Sequence, residues 1–371
     1  MGSKSFLFYL LPTDTKSYKG VIIIACFHPN IGQRVKGSGT VPKLIRPYKS
    51  TVSNSDDFEF RHLFLDGEVN SNGQELETFL VPCGKCVGCR LDYSREWADR
   101  CYLESLSKSP NWFVTLTYDD LNLPVTEYFN GETIIYTNSL VKSHISEFLK
   151  RLRRYYDYHF KIQDISFYGC GEYGSQFQRP HFHLLLFGCP IPDLQLFTYK
   201  DGFATYNSEI FSKEWNKGFV TINEFTWETA SYVARYCLKK QYGESRYFYE
   251  ENGLLPEFSI MSRSPGIGYN YFEEHKEEIF ERGYIPVKKS NGVFHSPIPK
   301  YYERMLEKTD PVYFEKYKQN KKDFAFNSYV NGVQFSDSDL SILDQRDVNE
   351  RAKLSQIKAL RRKFESSYNC L

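Results

Sequence analysis

The chain has 371 residues and a near balance of charge, 47 Lys plus Arg against 46 Asp plus Glu. That length allows one large core or two to three domains, and the balance removes any global nucleic-acid signature, so any DNA contact must come from local basic patches. No apolar run approaches the roughly 20 residues needed to cross a bilayer. Met1 to Pro12 is too short for a signal peptide and lacks a small-residue cleavage site. Nine cysteines, an odd number, with three crowded together, fit a reducing compartment, so the cytoplasm is the expected location. Aromatic residues at 17% suit thick cores and base stacking alike.

Residues 1 to about 80 read as strands and loops, with Val21-Ile22-Ile23-Ile24-Ala25-Cys26 a buried strand and Arg34 to Lys49 a basic loop punctuated by Gly and Pro. Pro82-Cys83-Gly84-Lys85-Cys86-Val87-Gly88-Cys89-Arg90 follows. Its C-x-x-C-x-x-C spacing can turn three sulfurs to one centre, with Cys101 as a fourth ligand on a helix that starts near Asp92. Zinc is the favoured occupant and an iron–sulfur cluster the alternative; free thiols in a tight loop fit the spacing equally. Asn111-Trp112-Phe113-Val114-Thr115-Leu116-Thr117-Tyr118 is a strand by its β-branched and aromatic content. Phe113, Thr115 and Thr117 share one face, where the hydroxyls can reach DNA phosphates or bases. Asn138-Ser139 caps a helix to about Tyr156, with Val141, Ile145, Phe148, Leu152 and Tyr155 on one stripe. Lys142, Lys150, Arg151, Arg153 and Arg154 lie off it, the densest basic patch in the chain, either a solvated face or a track for a nucleic-acid backbone.

Gly171-Glu172-Tyr173-Gly174 and Arg179-Pro180-His181-Phe182-His183-Leu184-Leu185-Leu186-Phe187 read as a hairpin. Strand alternation puts His181 and His183 on one face and Phe182, Leu184 and Leu186 on the other. The turn folds Glu172 back towards the imidazoles. Two neutral imidazoles and a carboxylate leave open positions on a six-coordinate ion such as Mg2+ or Mn2+. After a less readable stretch, 190 to 225, Thr229 to Lys240 is helical. At roughly 100° per residue, Tyr232, Tyr236 and Lys239 share a narrow arc with Lys240 at its edge, while Ala230, Ala234 and Cys237 lie opposite. These tyrosines are either half-buried structural residues or nucleophiles aimed at a cleft. Residues 246 to 371 contain the Gly-rich basic turn Ser262 to Gly268 and a terminal amphipathic helix, Asp347 to Tyr368. The lysine-terminated phosphate loop is found nowhere in the chain, which argues against nucleotide hydrolysis and a built-in helicase.

A strand with His181-Phe182-His183 followed by a helix with Tyr232-x-x-x-Tyr236-x-x-Lys239 resembles the HUH endonuclease superfamily. Within it, the cysteine motif, Phe113 to Thr117, Gly171 to Gly174, Arg179 to Gly188 and Ser262 to Gly268 resemble the rolling-circle initiators of gokushovirus-like Microviridae phages. The resemblance implies that His181, His183 and Glu172 bind the divalent ion. It makes Tyr232 and Tyr236 the nucleophiles, with Lys239 or Lys240 supporting them. The implied activity is site-specific nicking of single-stranded or melted origin DNA through a 5′-phosphotyrosine. A 3′-hydroxyl is released as primer, and the second tyrosine closes the circle. Host helicase and polymerase are the implied partners, and the host cytoplasm the location. A relaxase or transposase of the same superfamily, a zinc-dependent hydrolase with structural tyrosines, and a non-catalytic single-strand binder are the alternatives. The expected fold is α+β, a central antiparallel sheet with helices packed on one face. Residues 81–245 form its nicking core, between an N-terminal extension (1–80) and a C-terminal one (246–371).

Overall fold

The computed structural model describes residues 26–36, 44–47, 69–129, 131–174, 178–200, 202–236, 245–290, 292–334 and 346–355. Strands β1 (Asn30–Val35), β2 (Leu44–Pro47) and β3 (Leu76–Val81) precede helix α1 (Val87–Ser107). Next come β4 (Asn111–Tyr118), β5 (Val125–Phe129), β6 (Ile134–Asn138) and α2 (Lys142–Phe160). The chain continues through β7 (Ser166–Tyr173), β8 (Pro180–Phe187), β9 (Gln195–Lys200), β10 (Phe203–Asn207), α3 (Glu209–Trp215), β11 (Gly218–Glu224) and α4 (Trp227–Tyr236). Then follow α5 (Ser245–Glu251), β12 (Phe258–Met261), α6 (Tyr269–Arg282), β13 (Ile285–Lys289), β14 (Gly292–Ser296), α7 (Lys300–Thr309) and α8 (Pro311–Gln334). Residues 346–355 are helical; the rest of the expected terminal helix, and all of the expected Val21 strand but Cys26, lie outside the described residues.

The fold is α+β around a seven-stranded sheet in the order β12-β7-β8-β4-β11-β10-β9, antiparallel throughout. Its edge strand β12 comes from beyond residue 245. Alternation sorts the two faces. Phe182, Leu184 and Leu186 of β8 and Val114, Leu116 and Tyr118 of β4 are buried against Ile145, Phe148 and Leu152 of α2 and Phe211 and Trp215 of α3. Each such side chain contributes roughly 1.5–3 kcal/mol by leaving water. Gly169 belongs to this face because a Cβ there would meet Leu184 Cδ2 at 2.5 Å.

The other face of β8 changes character along its length, from His181 and His183 to Leu185 and Phe187. Its apolar end needs cover, and α1 and α4 supply it: Ala98, Ala230, Val233 and Ala234 pack on Phe113, Leu185 and Phe187. Helices therefore lie on both faces, and alanines at the contact let α1, α4 and the sheet approach closely. On its far side α1 carries Leu103 into a third core with Phe272, Ile279, Ile285 and Tyr302, which docks the C-terminal elements. The turn Ser262 to Gly268 is part of that dock. Arg100 of α1 donates from Nε and Nη2 to the Ile267 carbonyl (3.1 and 3.0 Å), and Gly268 N donates to Glu104 (2.7 Å).

Two helix boundaries differ from expectation. Helix α1 begins at Val87 rather than near Asp92, because the Cys86 sulfur caps it by accepting from Cys89 N. Helix α2 begins after Val141 with no side-chain cap and runs to Phe160. Ser139 instead accepts from Leu255 N at 2.9 Å, tying the loop before α2 to the C-terminal segment.

The expected fourth sulfur ligand is also corrected. Cys101 is buried in the core between α1, α4 and the sheet. It lies twelve residues along α1 from Cys89, about 18 Å at the helical rise. The cysteine that joins Cys83, Cys86 and Cys89 is Cys26.

Candidate active site

The β7–β8 hairpin pairs Glu172 with His181 and Cys170 with His183. Paired residues of an antiparallel ladder project to the same side, so the carboxylate and both imidazoles converge without any long loop. Glu172 Oε1 lies 2.8 Å from His181 Nε2 and 3.1 Å from His183 Nε2. All three ligand atoms fall within 4.8 Å of one another. The opposite ring nitrogens are occupied: His181 Nδ1 lies 3.0 Å from the Arg179 carbonyl, and His183 Nδ1 is 2.9 Å from Thr115 Oγ1. These contacts aim both Nε2 atoms at the same point, the arrangement that outer partners impose on metal-binding histidines.

Glu172 is 3% exposed, and its Oε2 is buried with no hydrogen-bond partner among the described residues. An orphaned carboxylate oxygen is costly unless something cationic faces it. Burial alone would raise this carboxyl, but the imidazoles of His183 and His181 outweigh it and hold it at about 2. Burial pushes His183 below the ordinary imidazole range. Against the same burial, the bond to Glu172 lifts His181 above it. An ionised oxygen donor and two imidazole nitrogens fit one divalent ion with positions left for substrate.

Thr115 has its hydroxyl on His183, and Thr117 pairs with His181 on the same side of the sheet. Thr115→Val is expected to weaken Mn2+ binding about 10–100-fold, with Thr115→Ser restoring it, as measured by calorimetric titration.

Helix α4 brings Tyr232 to this group. The Tyr232 ring meets the His183 ring edge-on, with centroids 5.3 Å apart and planes at 77°. It also packs edge-on against Phe113 at 6.2 Å, and Phe113 in turn stacks on His183 at 5.3 Å. The backbone of Tyr236 closes α4. The Tyr236 side chain and all of Lys239 and Lys240 lie outside the described residues.

What holds α4 in place is a buried polar knot that sequence reasoning missed. Asp99 of α1 accepts from Trp227 Nε1 at 2.8 Å, Ser296 Oγ at 2.5 Å and Arg95 Nη1 at 3.1 Å. Ser94 Oγ donates to the Ser231 carbonyl, one residue before Tyr232, at 3.3 Å. Lys289 lies over the Trp227 ring at 3.7 Å. Asp99 reads in the sequence as an ordinary helix-surface carboxylate; α4, through Trp227, and the C-terminal hairpin, through Ser296, both pack onto it. Asp99→Ala leaves the Trp227 indole and the Ser296 hydroxyl without their acceptor, while Arg95 keeps Asp92, and is expected to destabilise the fold by about 1–3 kcal/mol in urea unfolding.

The basic patch of α2 is not brought to this group. Helix α2 packs on the Phe182–Leu184–Leu186 face, so the sheet separates it from the histidines. Arg151 is engaged by the Glu214 carbonyl (2.9 and 2.7 Å), and Arg153 by the Ile165 carbonyl (2.8 Å) and the Phe167 ring. Lys150 and Arg154 are exposed on that far side. The open surface beside the histidines is aromatic. Phe219 pairs with Thr117 and so shares the side of His181, and it is 67% exposed. Phe203, next but one to Thr205, which pairs with Asn223 of the same side, is 57% exposed. Both fall in the less readable stretch, 190 to 225.

No described helix is long and apolar enough to cross a membrane. The family profile for replication-associated protein ORF2/G2P matches residues 111–241, from the start of β4 past the end of α4. Replication-associated protein ORF2 of Spiroplasma virus 4 is 35% identical over 289 residues, 76% of this chain and 86% of that protein. Replication-associated protein VP4 of Bdellovibrio phage phiMH2K is 29% identical over 290 residues, 76% of this chain and 84% of that one. Replication-associated protein ORF4 of Chlamydia phage 1 is 32% identical over 236 residues, 62% and 54% of the two chains. No solved structure matches. The matched profile spans the strand of Thr115, the carboxylate–imidazole hairpin and the tyrosine helix, and the first of these relatives is covered over most of its length: the chain belongs to the replication-associated proteins of small Microviridae-type phages.

Proposed function

We propose that this protein initiates rolling-circle replication by nicking one DNA strand at the phage origin and rejoining it through tyrosine. The observation that carries the reading is the contact between Tyr232 and His183, which sets a phenol beside a metal-ready carboxylate–imidazole group. A divalent ion held by His181, His183 and Glu172 would supply Lewis-acid polarisation of the scissile phosphate.

The chain's own residues account for the rest. Thr115 and the Arg179 carbonyl orient the imidazoles, and Phe113 and His183 fix the plane of the Tyr232 ring. A phenol near pKa 10 is a weak nucleophile at neutral pH; Lys239 and Lys240, which follow α4, serve to stabilise its anion. The phenol loses its proton to solvent, its oxygen bonds to phosphorus, and the P–O3′ bond breaks as the departing oxygen takes up a proton. A 5′-phosphotyrosine and a free 3′-hydroxyl result. The diester bond is conserved, so attack by a 3′-hydroxyl reseals the strand without ATP. Tyr236, one helical turn on, takes the second transfer that closes the circle. A host polymerase extends the 3′-hydroxyl, and a host helicase opens the duplex.

Origin DNA enters as a single strand, since pairing would hold the phosphate away from in-line attack. Phe219 and Phe203 provide stacking positions on the side of the sheet that carries His181. Phe219→Ala is expected to weaken binding of a single-stranded oligonucleotide by about tenfold, corresponding to roughly 1–3 kcal/mol per stacked base, as read by fluorescence anisotropy.

The test is incubation with a labelled origin oligonucleotide and Mn2+. A denaturation-resistant protein–DNA adduct is expected. Cleavage without an adduct would instead make water the nucleophile.

A further inference from the structure

The cysteine cluster is a second site, separate from the triad and not required by the nicking reading. We propose that Cys26, Cys83, Cys86 and Cys89 form a structural zinc tetrathiolate that clamps the start of the described chain to the N-terminus of α1. Their four sulfurs all lie within 4.8 Å of one another, and none is in a disulfide. Cys86 Sγ and Cys26 Sγ are 3.9 Å apart. Zn–S bonds of about 2.3 Å in a tetrahedron put sulfurs roughly 3.8 Å apart, whereas a disulfide needs about 2.05 Å. The spread suits a single ion. A multi-iron cluster distributes its thiolates over different metals and would hold them wider.

The backbone around the sulfurs is arranged for thiolates. Lys85 N and Cys86 N point at Cys83 Sγ (3.4 and 3.3 Å), Cys89 N and Phe27 N at Cys86 Sγ (3.5 and 3.4 Å), and Cys83 N at Cys26 Sγ (3.2 Å). Gly84, at φ 72°, makes the left-handed turn that presents these amides. Amide donors lower the cost of gathering anionic sulfurs, and the first turn of α1 adds its dipole. Cys26 comes from 57 positions before Cys83, so the ion would close a long loop between the N-terminal strands and α1. That helix also carries Ser94, Ala98 and Asp99 against α4. The clamp therefore steadies the support on which the Tyr232 helix rests, without touching the reacting groups.

The test uses the full chain purified without added metal. Elemental analysis should find about one zinc per chain that survives EDTA, and a mercurial thiol reagent should release it to a chromogenic chelator. Cys26→Ser should lose most of this zinc while Cys101→Ser and His183→Ala keep it. Because Cys26→Ser risks misfolding, wild type regrown on Co2+ provides a second measurement, with the charge-transfer and ligand-field bands of tetrahedral thiolate cobalt expected. Absence of zinc, iron with sulfide in its place, or zinc lost from Cys101→Ser but kept by Cys26→Ser would each overturn the assignment. Failure of this test leaves the triad untouched, and failure of the adduct assay leaves the zinc count untouched.

Discussion

Tyr232→Phe is expected to cut formation of the covalent protein–DNA adduct at a single-stranded origin by roughly a thousandfold or more, the scale on which removing an enzymatic nucleophile acts. The substitution deletes one oxygen and keeps the ring, so the edge contacts with His183 and Phe113 survive and the helix stays seated. Unchanged unfolding and unchanged Mn2+ affinity should therefore accompany the loss. Tyr236→Phe is expected to leave the first nick and to remove circle closure. The double variant should form no adduct at all. An adduct that persists in the double variant would remove both tyrosines from the chemistry, whatever their position. A Tyr232→Phe protein that still cleaves, releasing free ends, would leave the phenol a structural role beside the histidines.

Much of this site could be read from the chain because its parts are local. His181 and His183 are two apart on a strand, and Glu172 sits across one short turn, so alternation and hairpin register suffice to bring them together. Tyr232 needed only the helical period that puts it on α4, while the Tyr236 side chain lies outside the described residues. What escaped depends on contacts distant in sequence. Nothing in Val21 to Cys26 marks Cys26 as the partner of a motif beyond residue 80, whereas Cys101 offered itself by nearness; a rigid helix then carries Cys101 into the core. Periodicity showed that Arg151 and Arg153 leave the apolar stripe of α2, but not which face of the sheet α2 covers. Helix α2 covers the wholly apolar face of Phe182, Leu184 and Leu186, and that packing turns both guanidiniums onto backbone carbonyls. In β11 the exposed Phe219 is as hydrophobic as the buried Val220 and Ile222, which hides the alternation that would have revealed an open aromatic surface.

Glu172→Gln is the second large effect, and it separates metal binding from folding. The amide keeps the size of the carboxylate, so the hairpin and its buried packing are preserved. It removes the anionic donor and leaves a neutral amide oxygen in its place. Loss of one of three ligands is expected to weaken Mn2+ binding by about 100-fold or more, beyond what removal of an outer partner such as Thr115 costs. Stabilisation by a ligand follows its concentration relative to Kd: at 100 times the wild-type Kd, wild type gains ~2.7 kcal/mol and a 100-fold weaker variant only ~0.4 kcal/mol. A thermal-shift titration with Mn2+ reads this directly and needs no DNA. The orphaned Oε2 sharpens the expectation. In the metal-free protein Glu172→Gln should lower stability at neutral pH, because a carboxyl held at about 2 by the two imidazoles favours the folded state, while the metal-dependent gain nearly vanishes. Equal Mn2+ shifts in wild type and Glu172→Gln would show that the carboxylate is no ligand and serves only to hold His181 and His183 in register.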